Sequence, residues 1–337
     1  MRTLVTGASS RIGCGVVAAL AGRGDDVVTL QRRHVAALDA FDVRQVLGDV
    51  RDDRIVADAV DGCDAVVHLA ARVGVVGSWE DFRSVNVDGT ANVLRAARGA
   101  GTERLVHVSS PSVAHEGDSL VGEGAGPPIV GRRRAWYPES KAMAEQLVLA
   151  PAEGPTRVVA IRPHLVWGPG DEQLVGRIVE RARAGRLAMV GTGTALIDTA
   201  YVDNAVDALV AAVDALEPDA PCAGRAYVVA NGEPRPIAEL VAGICAAAGV
   251  PFAPRRVPMR VARPVGAFVE RAWALLAPRT EPPITEFVAE QLGTAHWFDP
   301  RPAAADLRWH PRVSIDDGLA RLGEWFAAGC PEWPHAQ

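Results

Sequence analysis

Short apolar runs rich in β-branched residues alternate with longer stretches of helical periodicity through the first half of the chain. Residues 3–5, 27–30, 43–47, 65–68, 105–109 and 158–161 read as strands, and 12–21, 55–60, 79–98 and 137–149 as helices. Strands that are apolar at nearly every position are buried on both faces, which requires helices on both sides of a parallel sheet. The pattern predicts an α/β protein built on a Rossmann-type doubly wound parallel sheet. Beyond residue 163 the punctuation changes, with Trp167-Gly168-Pro169-Gly170-Asp171, then Gly191-Thr192-Gly193, then proline-rich chain between Pro251 and Pro283. Tyr201-Val202-Asp203-Asn204, followed by an alanine-rich helix, reads as a return to the sheet. Residues 1–163 with about 195–230 are thus expected to form the sheet domain, and 164–194 with 231–337 a smaller, discontinuous substrate lobe.

In open sheets of this kind ligands bind beyond the carboxyl ends of the strands, so the loops there carry the candidate chemistry. The first strand runs into Thr6-Gly7-Ala8-Ser9-Ser10-Arg11-Ile12-Gly13 and then a helix. Glycines in such a turn let the backbone approach a pyrophosphate, and the helix N-terminus presents N–H groups and a positive dipole end. Gly7, Ser9, Ser10, Arg11, Ile12 and Gly13 are the expected contacts, with Ser10 or Arg11 standing where a middle glycine is usual. The second strand ends Leu30-Gln31-Arg32-Arg33, without the carboxylate that would accept from the ribose 2′-hydroxyl of NAD(H). Arg32 and Arg33, with Arg11, suit a 2′-phosphate instead, so NADP(H) is favoured and NAD(H) is the alternative. After the third strand, Asp49 and Val50 offer a carboxylate and a backbone N–H to the adenine edge; after the fourth, Leu69-Ala70-Ala71 has small side chains where the cofactor would pass.

Lysine occurs once, at Lys141, and arginine supplies the rest of the 35 basic residues. Tyr137, one of only three tyrosines, stands four residues earlier in Tyr137-Pro138-Glu139-Ser140-Lys141, so on a helix phenol and ammonium share one face. The fifth strand ends His107-Val108-Ser109-Ser110-Pro111-Ser112, which brings a hydroxyl towards the same point. Carbonyl reduction needs an acid for the developing alkoxide, a donor that polarises the carbonyl, and a cation that makes the acid usable near neutral pH. Tyr137, Ser110 and Lys141 fit those roles, the ammonium being expected to lower a phenol pKa that is ordinarily about 10.

Hydrophobic residues make up 49% of the chain and charged ones 23%, an ordinary globular composition. A net charge of −6 argues against nucleic acid as a partner, since a phosphate backbone demands a basic face. No uncharged apolar stretch is long enough to span a bilayer, and the chain enters a strand at once, so no signal peptide is expected. Five scattered cysteines and eight histidines lack ligand spacing; no metal is expected, and a cytoplasmic location with reduced thiols fits. Between Arg255 and Arg279 six arginines stand against one glutamate, interleaved with Val257, Met259, Val261, Phe268, Trp273, Leu275 and Leu276. That basic amphipathic stretch suits either peripheral membrane contact or a lid, with Pro264 expected to break any single long helix. Arg132-Arg133-Arg134 is a candidate clamp for a substrate carboxylate or carrier phosphate, or a solvated run.

With the loop 6–13, Asp49, Leu69 to Ala71, Ser110, Tyr137 and Lys141 in this order, the chain resembles the extended short-chain dehydrogenase/reductases along nearly its whole length. Arg162-Pro163-His164-Leu165-Val166-Trp167-Gly168, Tyr201-Val202-Asp203-Asn204-Ala205 and Phe298-Asp299-Pro300 look like the 3β-hydroxysteroid dehydrogenase branch. The resemblance implies that Asn86, in Ser84-Val85-Asn86-Val87-Asp88-Gly89-Thr90, supports the site, and that Pro163, Leu165 and Val166 face the cofactor. It also implies a homodimer, with multienzyme contact as a further partner class. Val75, Trp79, Ser112, Trp136 and Trp167 are the expected substrate-side residues, the tryptophans forming apolar walls for a fused-ring or long-chain molecule, or packing one lobe on the other. The expected activity is interconversion of a ketone and a secondary alcohol on a small hydrophobic substrate. A nucleotide-sugar epimerase or dehydratase holding NAD tightly, and a non-catalytic cofactor-binding sensor, are the alternatives.

Overall fold

Consecutive residues of a strand point to opposite faces, and both faces of this sheet are dry. Leu4, Val28, Val66, Leu105 and Val158 fill one core with Val56, Val60, Val93, Leu94 and Val148, while Val5, Val27, Val67, Val106 and Ile161 fill another with Val16, Val17, Leu20, Leu209 and Val213. The computed structural model describes residues 1–74, 76–115, 117–131, 135–276 and 293–331. Its strands β1 (Arg2–Thr6), β2 (Asp26–Gln31), β3 (Val43–Leu47), β4 (Ala65–His68) and β5 (Arg104–Val108) match the expected runs within a residue or two at each end. A strand β6 (Leu120–Glu123) precedes β7 (Arg157–Pro163). The main sheet has seven parallel strands, Ala226–Val229 lying outside β7 and followed across the sheet by β5, β4, β1, β2 and β3. The strand order reverses at β1, and the crevice beyond the ends of β1 and β4 is where such sheets hold ligands.

Helices α1 (Arg11–Gly22) and α2 (Asp53–Val60) lie where the periodicity puts them. The expected helix 79–98 is instead three joined pieces: α3 (Trp79–Phe82), a wide π turn (Arg83–Asp88) and α4 (Gly89–Gly99). The wide turn holds one residue more than an α turn and so shifts the apolar stripe by one position, a change that a helix this short does not separate from an ordinary irregularity of pattern. Helix α5 (Trp136–Leu149) follows. The helix Val202–Ala215 packs on α1, and its chain then supplies the sheet-edge strand Ala226–Val229, the return to the sheet that Tyr201 to Asn204 announces.

A second core gathers Trp167, Ile178, Ile197, Tyr201, Ile237, Leu240, Ile244, Ile315 and Leu322. Beside it a four-stranded sheet joins Arg235–Pro236, Leu196–Ile197, His296–Phe298 and β6. β6 escapes the sequence pattern because it is short, half-exposed and contains Gly122; its pairing comes from residues more than 170 positions away. The stretch around Pro264 also departs from expectation, since one helix runs Met259–Leu276 through the proline. Pro264 lies in the second turn and is exposed, so its ring meets water and not a packed neighbour.

Candidate active site

The cleft at the end of β1 is made by close backbone approaches. Gly7 has φ +71, and a Cβ there would stand 2.7 Å from the Ala70 nitrogen; one on Gly13 would stand 2.5 Å from the Gly7 carbonyl oxygen. Ser10, at the usual glycine position, caps α1: its hydroxyl accepts from the Gly13 N–H at 3.1 Å and donates to the Gly7 carbonyl at 2.9 Å. The turn stays tight without its middle glycine, and the positive end of the α1 dipole faces the cleft. Gly7, Ser9, Ser10, Gln31, Arg32, Asp49, Val50, Leu69, Ala70 and Ala71 line that cleft. A narrow, glycine-floored groove at a helix N-terminus fits the pyrophosphate of a dinucleotide.

Leu30, Gly48, Arg72 and Val85 line the cleft as well. Asp49 does not present a free carboxylate there. Both its oxygens accept from the Arg51 guanidinium, at 2.9 and 2.8 Å, and this hydrogen bonding holds it below the ordinary carboxylate range. Arg51 was not expected from the sequence; its position two residues after the acid was the available signal. Arg32 is exposed at the cleft edge, with Asp49 within electrostatic reach.

A buried polar chain runs from the cleft to α5. His68 bridges Thr6 and Thr90, with Nδ1 2.7 Å from Thr6 Oγ1 and Nε2 2.9 Å from Thr90 Oγ1. The Thr90 hydroxyl donates to the Asn86 carbonyl at 2.6 Å, so its oxygen accepts from Nε2–H and Nδ1 accepts from Thr6. That is the neutral tautomer, which agrees with burial pushing the His68 pKa down to about 3. Asn86, 1% exposed, accepts from the Arg72 N–H at 2.7 Å and donates to the Arg72 carbonyl at 3.0 Å and to Ser140 Oγ at 2.9 Å. Ser140 in turn donates to the Tyr137 carbonyl at 2.9 Å. Every hydrogen-bonding group of the Asn86 amide is therefore occupied in pinning the segment after β4 to the first turn of α5.

Two residues beyond β5, Ser110 caps a short turn, Pro111–Ala114; its oxygen accepts from the Ser112 N–H at 3.3 Å and lies 2.8 Å from the Ser112 hydroxyl. The Tyr137 phenol meets the Ser110 hydroxyl. Lys141 is 3% exposed and donates to the Val108 carbonyl at 2.5 Å. Burial lowers its pKa to about 8, with Glu145 opposing. The same ammonium helps to hold His68 and the fully buried His107 neutral. The phenol differs from expectation: burial raises Tyr137 above its ordinary value, and it is Ser110 that opposes the rise, while the Lys141 ammonium donates to the Val108 carbonyl. One turn further along α5, Glu145 forms an ion pair with Arg162, both 0% exposed, and Arg162 also donates to the Ala125 and Gly126 carbonyls.

Other expected residues sit elsewhere. The Arg11 guanidinium packs on Gly170 and faces Asp171, Tyr201 and Asp203, so it is directed away from the end of β2. Arg33 is exposed, and neither it nor Ile12 or Gly13 lines the cleft. Pro163 closes β7, Leu165 adopts a left-handed φ of 42, and Val166 pairs with Ala200; none of the three lines the cleft. Trp167 is no substrate wall: it is 0% exposed, stacks edge-on against Tyr201 and donates to Thr199 Oγ1 at 2.9 Å. Its indole is the centre of the second core. Trp79 and Trp136 do pair, with ring centroids 5.6 Å apart, and both are half-buried. Val75 and Arg132 to Arg134 lie outside the described residues. Among the described residues no group of histidine, cysteine and acidic side chains is placed to hold a metal ion, and no helix is long and apolar enough to cross a membrane.

Residues 4–258 match the 3-beta hydroxysteroid dehydrogenase/isomerase family. Over 331 residues the chain is 45% identical to the 2-alkyl-3-oxoalkanoate reductase of Stenotrophomonas maltophilia, covering 97% of this chain and 100% of that one. It is 32% identical over 346 residues to the 3 beta-hydroxysteroid dehydrogenase/Δ5→4-isomerase of Mycobacterium tuberculosis, covering 97% and 90%. Among solved structures it resembles UDP-glucuronic acid 4-epimerase from Bacillus cereus in complex with NAD, with TM-score 0.75 at 20% identity over 97% of this chain and 99% of that one. A likeness of TM-score 0.76 at 24% identity to gox2253 covers 97% and 98%. At such identities these two likenesses show the fold alone.

Proposed function

The chain belongs to the 3-beta hydroxysteroid dehydrogenase/isomerase family and is an oxidoreductase, and we propose that it reduces the ketone of a hydrophobic β-keto acid with NADPH. The substrate class is that for which the 45% identical relative is named, the 2-alkyl-3-oxoalkanoates. The observation that carries this reading is the meeting of the Tyr137 and Ser110 hydroxyls one helical turn from a buried ammonium. When bound, the reduced nicotinamide supplies the hydride. Ser110 donates to the ketone oxygen, its own position fixed by Ser112. Tyr137, kept protonated by burial, gives its proton to that oxygen as negative charge develops there. Lys141, one helical turn along α5 and held on the Val108 carbonyl, is the cation whose charge would oppose the cost of forming that anion. A proton from solvent restores the phenol, so ketone, hydride and one proton give the secondary alcohol.

Arg32 supports NADP(H) over NAD(H): it is an exposed guanidinium at the cleft edge, just beyond the C-terminal end of β2, where no carboxylate stands. The half-buried Trp79 and Trp136 pair favours a second reading with the same residues run in reverse, oxidation of a secondary alcohol on a fused ring, as in the name of the 32% identical relative. The test follows tryptophan fluorescence while NADPH and NADH are titrated, and then coenzyme consumption with long-chain β-keto acids and 3-ketosteroids. Tyr137→Phe is expected to bind coenzyme unchanged and to lose turnover by at least about 100-fold. Coenzyme retained through purification, with no net consumption by any ketone, would move the assignment to the internally recycling epimerases.

A further inference from the structure

A surface helix ordinarily turns one apolar stripe to the core and a polar face to water. The helix Met259–Leu276 breaks that rule in its described first half. Met259, Ala262 and Gly266 face inward, Met259 and Ala262 packing with Val190 and Val257. On the opposite side Val261, Val265 and Phe268, at i, i+4 and i+7, are 44%, 45% and 71% exposed. Phe252, 39% exposed, precedes them. These are four of the ten large hydrophobic residues that the described chain exposes, gathered within seventeen positions. Within the same seventeen positions Arg255 and Arg256, on the strand before the helix, and Arg260, in its first turn, are exposed, and that turn carries no acid, although the chain as a whole has a net charge of −6.

We infer that this face docks on an anionic lipid surface. Apolar side chains on one side of a helix with guanidiniums at their edge suit the boundary between acyl chains and acidic headgroups, where both groups are satisfied at once. Docking would set the second lobe against the pool in which a long-chain substrate resides, a use that rests on the proposed reductase reading; the docking itself does not depend on it. No helix long enough to span is needed, and none is present among the described residues.

The test is co-sedimentation of the full chain, without coenzyme or substrate, with vesicles of phosphatidylcholine alone and of phosphatidylcholine and phosphatidylglycerol in equal parts. Each arginine contributes roughly a factor of five at an anionic surface, so three give on the order of 100-fold tighter binding to the mixed vesicles. That preference should collapse at about 1 M salt, where the Debye length falls to roughly 3 Å. Val265→Asp with Phe268→Asp should lower binding at least about tenfold while circular dichroism and coenzyme binding stay unchanged. Equal binding to both vesicle types, or none to either, overturns the inference. So does a change in solution mass of the double variant without loss of vesicle binding, which would make the face a contact between copies. Because vesicle binding is read without catalysis, its failure is distinguishable from failure of the reductase assignment.

Discussion

Replacing Lys141 by Met separates what the ammonium costs the fold from what it does for the reaction. Burial carries its pKa from 10.5 to about 8, against the opposing pull of Glu145. At about 1.4 kcal/mol per pKa unit, the folded protein spends roughly 3 kcal/mol to keep this side chain charged at neutral pH. The sign follows from proton counts. Below pH 8 folded and unfolded chains both hold the proton and the penalty is constant; between pH 8 and 10.5 only the unfolded chain holds it, so raising the pH favours folding. The stability of the natural protein minus that of Lys141→Met should therefore be flat below pH 8 and rise by about 3 kcal/mol up to pH 10.5. Loss of the bond to the Val108 carbonyl adds an offset that does not depend on pH. Urea denaturation of both proteins at intervals from pH 7 to the alkaline limit measures the difference, in which the other titrating groups cancel. Coenzyme turnover should fall in the variant at every pH. Parallel stability curves through this window would refute the reasoning, because they would mean that the ammonium is solvated rather than sealed against β5.

Three further substitutions probe the cleft and its supports. Arg32→Asp should weaken NADPH binding by at least about tenfold, as expected for loss of a charge-assisted contact, and leave NADH binding equal or tighter; fluorescence titration with both coenzymes reads the ratio. Gly7→Ala places a Cβ at φ +71 and 2.7 Å from the Ala70 nitrogen, so a loss of about 2 kcal/mol or more in denaturant stability should accompany weakened coenzyme binding. Asn86→Ala leaves the Arg72 N–H and carbonyl without their partner, and should cost about 2–4 kcal/mol in urea denaturation. A smaller cost would mean that water replaces the amide.

The parts of this protein legible in its sequence are those written in short-range code. Strands buried on both faces announce themselves as unbroken apolar runs, which is why β1 to β5 and β7 are found almost to the residue. That Tyr137 and Lys141 stand one turn apart on α5 is legible because a four-residue spacing on a helix is a statement about space; that the ammonium turns to the Val108 carbonyl is not. Residues defined by partners far along the chain are not. Trp167 follows a strand as a ligand-facing residue would, yet its indole meets Tyr201 and Thr199, more than thirty positions on. Arg11 has the charge for a phosphate, but Gly170 leaves room for its guanidinium to turn towards Asp171 and Asp203. The polar chain from Thr6 through His68, Thr90 and Asn86 to Ser140 spans five segments, and no local pattern distinguishes its members from ordinary polar residues.

The solitary lysine is explained by the same geometry. A chain that uses arginine everywhere else places its one ammonium where the space is sealed: 3% exposed, against a strand-end carbonyl, beside two histidines held neutral. A guanidinium is planar and keeps five N–H donors to be satisfied, and the site offers one carbonyl. An ammonium is compact, and its lowered pKa shows that even this smaller cation is tolerated at a cost. Arginine is used where burial can be repaid several times over, as at Arg162, which finds the Glu145 carboxylate and two backbone carbonyls. The contrast between these two cations, drawn from the same helix and the strand beside it, supports a role for Lys141 in chemistry rather than in packing: a site selected for stability alone would hold a neutral side chain there.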